Sequence, residues 1–472
     1  MRKSWTSDEP FDLRKCFAVE LRDLNDIYAQ IRIKDPHEYE RVIASQLSDL
    51  VRDKRVYARA IARHVSGDRG DTLVVVFDNV DKRDRDQQLK IFELAQWFRA
   101  ETRALIILAL RNETYERHKH EPPLDAFLNS VHFYIAAPRF VNVVKKRLDL
   151  AVAHLRNSVG DKLSYDVPGL GPVEYPATRL GEFIKALHYD LFQPKRPVAQ
   201  VLEALSGRNV RYSLEMFTRI MQSGHLDERA LTSTFLGAGN YSIGEHTALR
   251  VLMRTDYRFF EDNHGFVTNI FDFRTTQFAP NFVRAEIIFR LVSLRKVQGA
   301  HGLEGFVYVS DLLKDLEEIG FEREATILEI NYLLQRGLLE SEELNGEPVT
   351  DTGAVKVHAS GWVHFSILAS RIEYVTSCAM VTQITDADFA QRTGLTWAGA
   401  RHKGHLAINK AMQIAAGFND HLAKEYERAC DHPQFDEKAI GSRVLLERVA
   451  NAIKLEQRRQ ERRRLKKRRE GN

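Results

Sequence analysis

The sequence predicts an α/β domain that gives way to a mostly α chain, and three observations carry that expectation. The first is Thr72 to Asp81, Thr-Leu-Val-Val-Val-Phe-Asp-Asn-Val-Asp, in which five consecutive apolar residues end abruptly in Asp78 and Asp81. Such a run reads as a strand buried on both faces of a parallel sheet. The second is a pair of further apolar segments, Ala104 to Leu110 and Val131 to Ala136, with helical periodicity between the first two strands. Strands spaced this way need crossover connections, hence a parallel sheet. The third is the change after about Leu148, where the pattern turns helical.

Taken in order, residues 15 to 24, Lys-Cys-Phe-Ala-Val-Glu-Leu-Arg-Asp-Leu, read as a short strand running into a polar loop. A helix is expected from Pro36 to His64, where Tyr39, Val42, Ile43, Leu47, Leu50 and Val51 recur at three- and four-residue steps. The loop Ser66 to Asp71 leads into the valine strand. A helix from Gln87 to Ala100 follows, with Ile91, Ala95 and Phe98 on one face. The strand Ala104 to Leu110 leaves into Arg111. The strand Val131 to Ala136 exits into a helix containing Lys145, Lys146 and Arg147. From Leu148 to Phe235 the chain reads as helical, broken by a loop at Pro168 to Pro172.

The second half begins with a helix and a bridge-like segment holding Tyr257, Phe259, Ile270, Phe271 and Phe273. Three helices then follow, Arg284 to Val297, Ser310 to Ile319 and Arg323 to Arg336, the last two stopping at Gly320 and Gly337. A wing is expected next, with a turn at Asn345-Gly346 and a strand from Val349 to Val357. That is a winged-helix pattern. Its third helix offers Glu322, Arg323, Glu324, Glu329, Asn331, Gln335 and Arg336 as exposed positions. The acids among them argue for packing or partner binding rather than groove reading.

The 472 residues leave room for several domains, and 44% hydrophobic with 28% charged residues are ordinary globular values. The formal net charge is +4. From Arg458 to Arg469 the chain carries nine Lys or Arg against the single Glu461. The remainder is therefore mildly acidic. Such a tail can bind nucleic acid without sequence preference, through Arg458, Arg459, Arg462, Arg463, Arg464, Lys466, Lys467, Arg468 and Arg469, or stay a mobile, solvated terminus. Cys16, Cys378 and Cys430 are scattered and lack CxxC spacing, which excludes a disulfide framework and suits a reducing, cytoplasmic setting. No signal-peptide h-region follows the start, and no apolar run is long enough to span a membrane.

Asp78 and Asp81 in Phe-Asp-Asn-Val-Asp resemble the Walker B strand end of an ASCE-type P-loop ATPase, nearest the STAND and AAA+ groups. Arg111 after Leu-Ile-Ile-Leu-Ala-Leu is similar to the sensor-1 arginine of STAND proteins. Gly207-Arg208-Asn209-Val210-Arg211 resembles the sensor-2 region of AAA+ lids. The resemblance covers roughly residues 12 to 235. It implies a core over residues 1–150, a helical lid over 151–245, a linker and winged helix over 246–368, and a helical region with the basic tail over 369–472. It also implies ATP and Mg²⁺ as cofactors, with Asp78 holding the metal, Asp81 orienting water, and Arg111 and Arg211 meeting the phosphates. Many relatives carry an acid directly after the first aspartate, where this chain has Asn79.

The phosphate-cradling Gly-x-x-x-x-Gly-Lys-Ser/Thr does not occur in the sequence. The expectation is a chain lacking the N-terminal part of its ATPase core, with an incomplete parallel sheet; a degenerate nucleotide fold is the alternative. In that order the Walker B strand pairs in parallel with Ala104 to Leu110 and, on its other side, with Phe17 to Leu21. Nucleotide state would control assembly or partner engagement, as in bacterial stress or defence systems. The rival is a non-catalytic, nucleic-acid-associated winged-helix regulator on a degenerate scaffold.

Overall fold

Helices rather than a strand form where residues 15 to 24 stand: α1 (Leu13–Cys16), α2 (Ala18–Ile27) and α3 (Ala29–Lys34). The reason lies in spacing. Phe17, Leu21 and Leu24 fall on one helical face, and they close a small core with Ile43, Leu47 and Ala60 from the next two helices. A short apolar run is ambiguous between helix and strand, and the partner surface decided it. The expected pairing of Phe17 to Leu21 with the valine strand is thereby ruled out. The computed structural model describes residues 13–111, 114–115, 122, 125, 131–133, 135–157, 162–167, 171–176, 180–183, 185–186, 197–207, 209–223, 233, 245–255, 257, 259–342, 348–384, 386–398 and 408–470. They fall into two units, residues 1–132 and 133–472.

In the first unit, the single helix expected from Pro36 to His64 is two, α4 (Pro36–Arg52) and α5 (Lys54–Arg63). Asp53 breaks it, because its carboxylate accepts from the Arg55 and Val56 amides at 2.9 and 3.1 Å and so starts a new helix. Asp35 caps α4 in the same way, with Pro36 in the first turn. The valine strand is β1 (Val74–Phe77), and it pairs in parallel with β2 (Leu105–Leu108) in the register Val74↔Leu105 to Phe77↔Leu108. The crossover between them is α6 (Arg85–Thr102), capped by Asp84.

The sheet is not buried on both faces. Phe77, Ile106 and Leu108 pack with Val80, Phe92 and Ala95 beneath α6. On the opposite face Val74, Val76, Leu105 and Ile107 are 43 to 57% exposed. The third strand expected at Val131 to Ala136 is not borne out: among the described residues of 131–136 none is extended into a sheet, and Val131, Phe133 and Ile135 are exposed.

The second unit opens with α7 (Phe140–Asn157), as expected from the sequence. The helical reading of Leu148 to Phe235 is corrected by an antiparallel pair, β3 (Lys162–Val167) with β4 (Gly171–Pro176), on either side of the expected loop; Pro168 to Leu170 lie outside the described residues. Next come α8 (Pro197–Leu205), α9 (Val210–Gln222) and α10 (Glu245–Arg254). The segment read as a bridge is the opposite: Ile270, Phe271 and Phe273 lie in the centre of the main hydrophobic core.

Around that centre stand α11 (Val283–Leu294), β5 (Val307–Tyr308), α12 (Val309–Glu317), α13 (Arg323–Gln335), β6 (Leu339–Ser341) and β7 (Ala354–Val357). The three strands form an antiparallel sheet in the order β5-β7-β6. The expected turn at Asn345-Gly346 lies outside the described residues. The chain continues through α14 (Ala359–Ser366), α15 (Ile372–Ala379), α16 (Ala387–Ala398), α17 (Ile408–Ala429), α18 (Phe435–Lys438) and α19 (Ile440–Glu470). The basic tail is therefore the end of a 31-residue helix, not an irregular terminus.

One exposed position expected on α13 is a correction. Glu329 is fully buried and accepts from Arg284 Nε at 2.7 Å. Arg284 also donates to Asp262 and to the Asn269 carbonyl, and lies over the Tyr332 ring. Helical spacing placed Glu329 beside polar neighbours, and only the buried cation on α11 explains a carboxylate inside the core.

Candidate functional site

The carboxyl ends of β1 and β2 lie side by side because the parallel register continues past both strands, with the Ala109 amide donating to the Phe77 carbonyl at 3.0 Å. Ligands gather at such strand ends in open α/β sheets. Asp78 leaves β1 exposed to solvent, and its Oδ1 accepts from the Asn79 amide at 2.8 Å. Asn79 then adopts a left-handed conformation, φ 58° and ψ 28°, which asparagine tolerates better than most residues. That reversal folds Val80 to Lys82 into a single 3-10 turn with Val80 buried against Phe92 and Ala95.

The turn carries Asp81 back toward the end of β2. Its Oδ2 meets Arg111 Nε at 3.0 Å, with the aspartate side chain mostly buried and the arginine half-exposed. The pair is partly solvated, so it contributes about 1 kcal/mol or less to stability. Its larger consequence is positional, since it ties the acid of one strand end to the cation of the next. Gln88 of α6 adds a second tie with no signal in the local pattern: buried, it donates to the Arg83 carbonyl at 2.7 Å and fixes the exit of the turn.

Of the four residues singled out from sequence, Asp81 and Arg111 pair directly in the first unit, and Asp78 leaves β1 three residues before Asp81. The fourth, Arg211, is a residue of the second unit. It is exposed on the first turn of α9, in the second unit, behind an N-cap in which Asn209 accepts from the Tyr212 amide at 3.2 Å. Asn112 and Glu113, which follow Arg111, lie outside the described residues.

Chemically, an exposed carboxylate at the end of a strand can hold a hydrated divalent cation, since Mg²⁺ keeps several waters and needs only one or two carboxylates. Among the described residues no three His, Cys, Asp or Glu side chains converge as a metal-ligand set. Asp78 is an exposed carboxylate of that kind, and a guanidinium such as that of Arg111 can pair with phosphate. The sequence holds no glycine-rich cradle followed by Lys-Ser/Thr for phosphates. A separate cavity of about 250 Å³ lies in the second unit, bounded by Arg254, Phe259, Met380 and Trp397, and contains none of these residues. Burial lowers the Arg254 pKa to about 10.

The three cysteines are free, and among the described residues no helix is long and apolar enough to cross a membrane. Comparison with protein-family models, with curated proteins and with solved structures finds no match for this chain.

Proposed function

We propose that residues 72 to 111 are the acid-and-arginine edge of a nucleotide-dependent regulator of the P-loop ATPase class, in which nucleotide state governs assembly or engagement of a partner. The observation that carries the reading is the register-fixed meeting of Asp81 and Arg111 at the ends of two parallel strands, with Asp78 exposed beside them. Phosphoryl transfer depends on positioning and charge more than on covalent chemistry, so a carboxylate for Mg²⁺ and a guanidinium for phosphate are the groups it asks for. Asp78 would hold the cation. Asp81, already paired, serves to orient Arg111 in this geometry rather than to activate water. Arg211 enters only through the resemblance of its segment to a lid sensor.

The order of three helices and a three-stranded antiparallel sheet from Val283 to Val357 supports the winged-helix part of the reading. Its third helix is largely internal, with Ala325, Thr326, Glu329, Ile330, Tyr332 and Leu333 buried, which favours a packing or partner-facing role over base reading.

The test is Mg·ATP binding by the purified protein, followed with a fluorescent ATP analogue. Useful turnover is not expected, for want of a phosphate cradle, but binding should depend on Mg²⁺, and Asp78→Ala should weaken it at least tenfold while leaving the circular dichroism unchanged. Binding that survives Asp78→Ala, or no binding of Mg·ATP at all, would leave only the scaffold role for this domain.

A further inference from the structure

The C-terminal basic segment is built as an arm. Helix α19 is anchored along its first five turns: Glu286 accepts from both the amide and the hydroxyl of Ser442, Leu445, Val449 and Ala452 are buried, and Arg448 donates to the Ser366 carbonyl. The anchoring extends to Glu456, which is buried and paired with Arg459, and to Gln460, whose amide donates to Met412 Sδ. Beyond Gln460 the helix continues to Glu470, and the described side chains there, Glu461, Arg462 and Leu465, are exposed. Ten further residues of helix make a projection about 15 Å long.

The sequence puts basic residues at 462, 463, 464, 466, 467, 468 and 469 of this projection, with Arg458 and Arg459 at its base. At 100° per residue these positions surround the helix instead of lining one face. That distribution discriminates between anionic partners. A helix that lies on a membrane needs an apolar face, and this one offers only Leu465. A helix charged on all sides fits between two phosphate backbones, and the B-DNA major groove, about 12 Å wide, admits an α-helix whereas the deep narrow groove of duplex RNA does not.

We propose that the end of α19 is a rigid basic arm that enters the major groove of duplex DNA and holds it through phosphate contacts without reading sequence. Rigidity follows from the anchor, so the arm presents its charge without first ordering a mobile tail. No nucleotide is required, which makes this inference independent of the ATPase reading.

The experiment is fluorescence anisotropy of the full chain, without nucleotide, against a 20-base-pair DNA duplex of scrambled sequence. The same measurement on the RNA duplex and on anionic phosphatidylserine vesicles completes it. The expected result is binding to unrelated DNA sequences alike, with affinity falling on the order of a thousandfold between 50 and 200 mM salt. Replacing Arg462, Arg463, Arg464 and Lys466 together by Gln should weaken binding at least tenfold and flatten the salt dependence. Leu465→Pro keeps every charge, lies beyond the last packed residue and breaks the helix; it should also weaken DNA binding about tenfold. DNA affinity unchanged in Leu465→Pro would overturn the rigid arm in favour of a polyelectrolyte tail. Equal affinity for duplex RNA would overturn groove entry, and tighter binding to the vesicles would make the arm a membrane contact. Binding that survives the fourfold Gln substitution would place the DNA site elsewhere.

Discussion

At the scale of the residue, the second unit holds carboxylates largely withdrawn from water. Glu425 accepts from the Asn281 amide at 3.1 Å, with His421 at 3.7 Å, and burial pushes its pKa up to about 7. The folded value is raised, so the group is without penalty below about pH 4.5, where it is protonated in both states. Its contribution becomes unfavourable as pH rises from about 4.5 to about 7 and levels off above that. At full ionisation the penalty reaches about 3 kcal/mol. Glu425→Gln keeps an acceptor for Asn281 and removes the charge. It should stabilise the protein by about 1 to 3 kcal/mol at pH 8 and by less than about 1 kcal/mol near pH 5. Urea unfolding at the two pH values measures this, and an equal gain at both would show that Glu425 is not the titrating group. His421, which burial depresses, contributes the opposite slope at acid pH.

At the scale of the element, the sheet of β1 and β2 is covered on one face only. Parallel sheets are normally covered on both faces, yet Val74, Val76, Leu105 and Ile107 form a bare apolar face opposite α6. Exposed apolar patches of this kind drive association. The paired substitution Val76→Lys with Ile107→Lys should reduce light scattering and dye binding by the purified chain at least twofold, with its helical circular dichroism preserved. If the same pair unfolds the chain, that face is covered in solution. The hidden core on the other side, Val80, Phe92 and Ala95, also explains why Asp81 is held in place: the turn that carries it is pinned by a buried valine one residue away.

At the scale of the whole molecule, the two units differ in how much apolar surface they bury. The first relies on two small clusters, around Phe17 and around Phe92, while the second encloses one extended core from Phe140 to Ala452. Burial at roughly 25 cal/mol per Å² makes the first the weaker unit. Calorimetry should show two transitions. Glu329→Leu leaves Arg284 buried without its closest carboxylate, a change that destabilises by about 3 to 5 kcal/mol, and it should lower only the upper transition. A single transition that moves as one in this variant would mean that the units unfold together.

The sequence by itself determined the features that depend on local patterning. The valine strand, its parallel pairing with Leu105–Leu108 and the helix between them follow from apolar runs, punctuation and crossover spacing, whereas the pairing of Asp81 with Arg111 was not foreseen. The three helices between Val283 and Gln335 and the strand at Ala354–Val357 were legible for the same reason, since Ser, Gly and turn residues bracket them, whereas the two-residue β5 was not. Only the tertiary structure decided what depends on a partner distant in sequence. Residues 15 to 24 became helices because Ile43 and Leu47 received Phe17 and Leu21, and the described residues of 131–136, apolar in pattern, pair with no strand. Glu329 went inside because Arg284 was already there, and the basic run stayed helical because forty-odd ångströms of the same helix begin on a core that holds its other end. Short apolar or charged runs are compatible with more than one backbone conformation, and the free energy that selects among them comes from contacts that no local window contains.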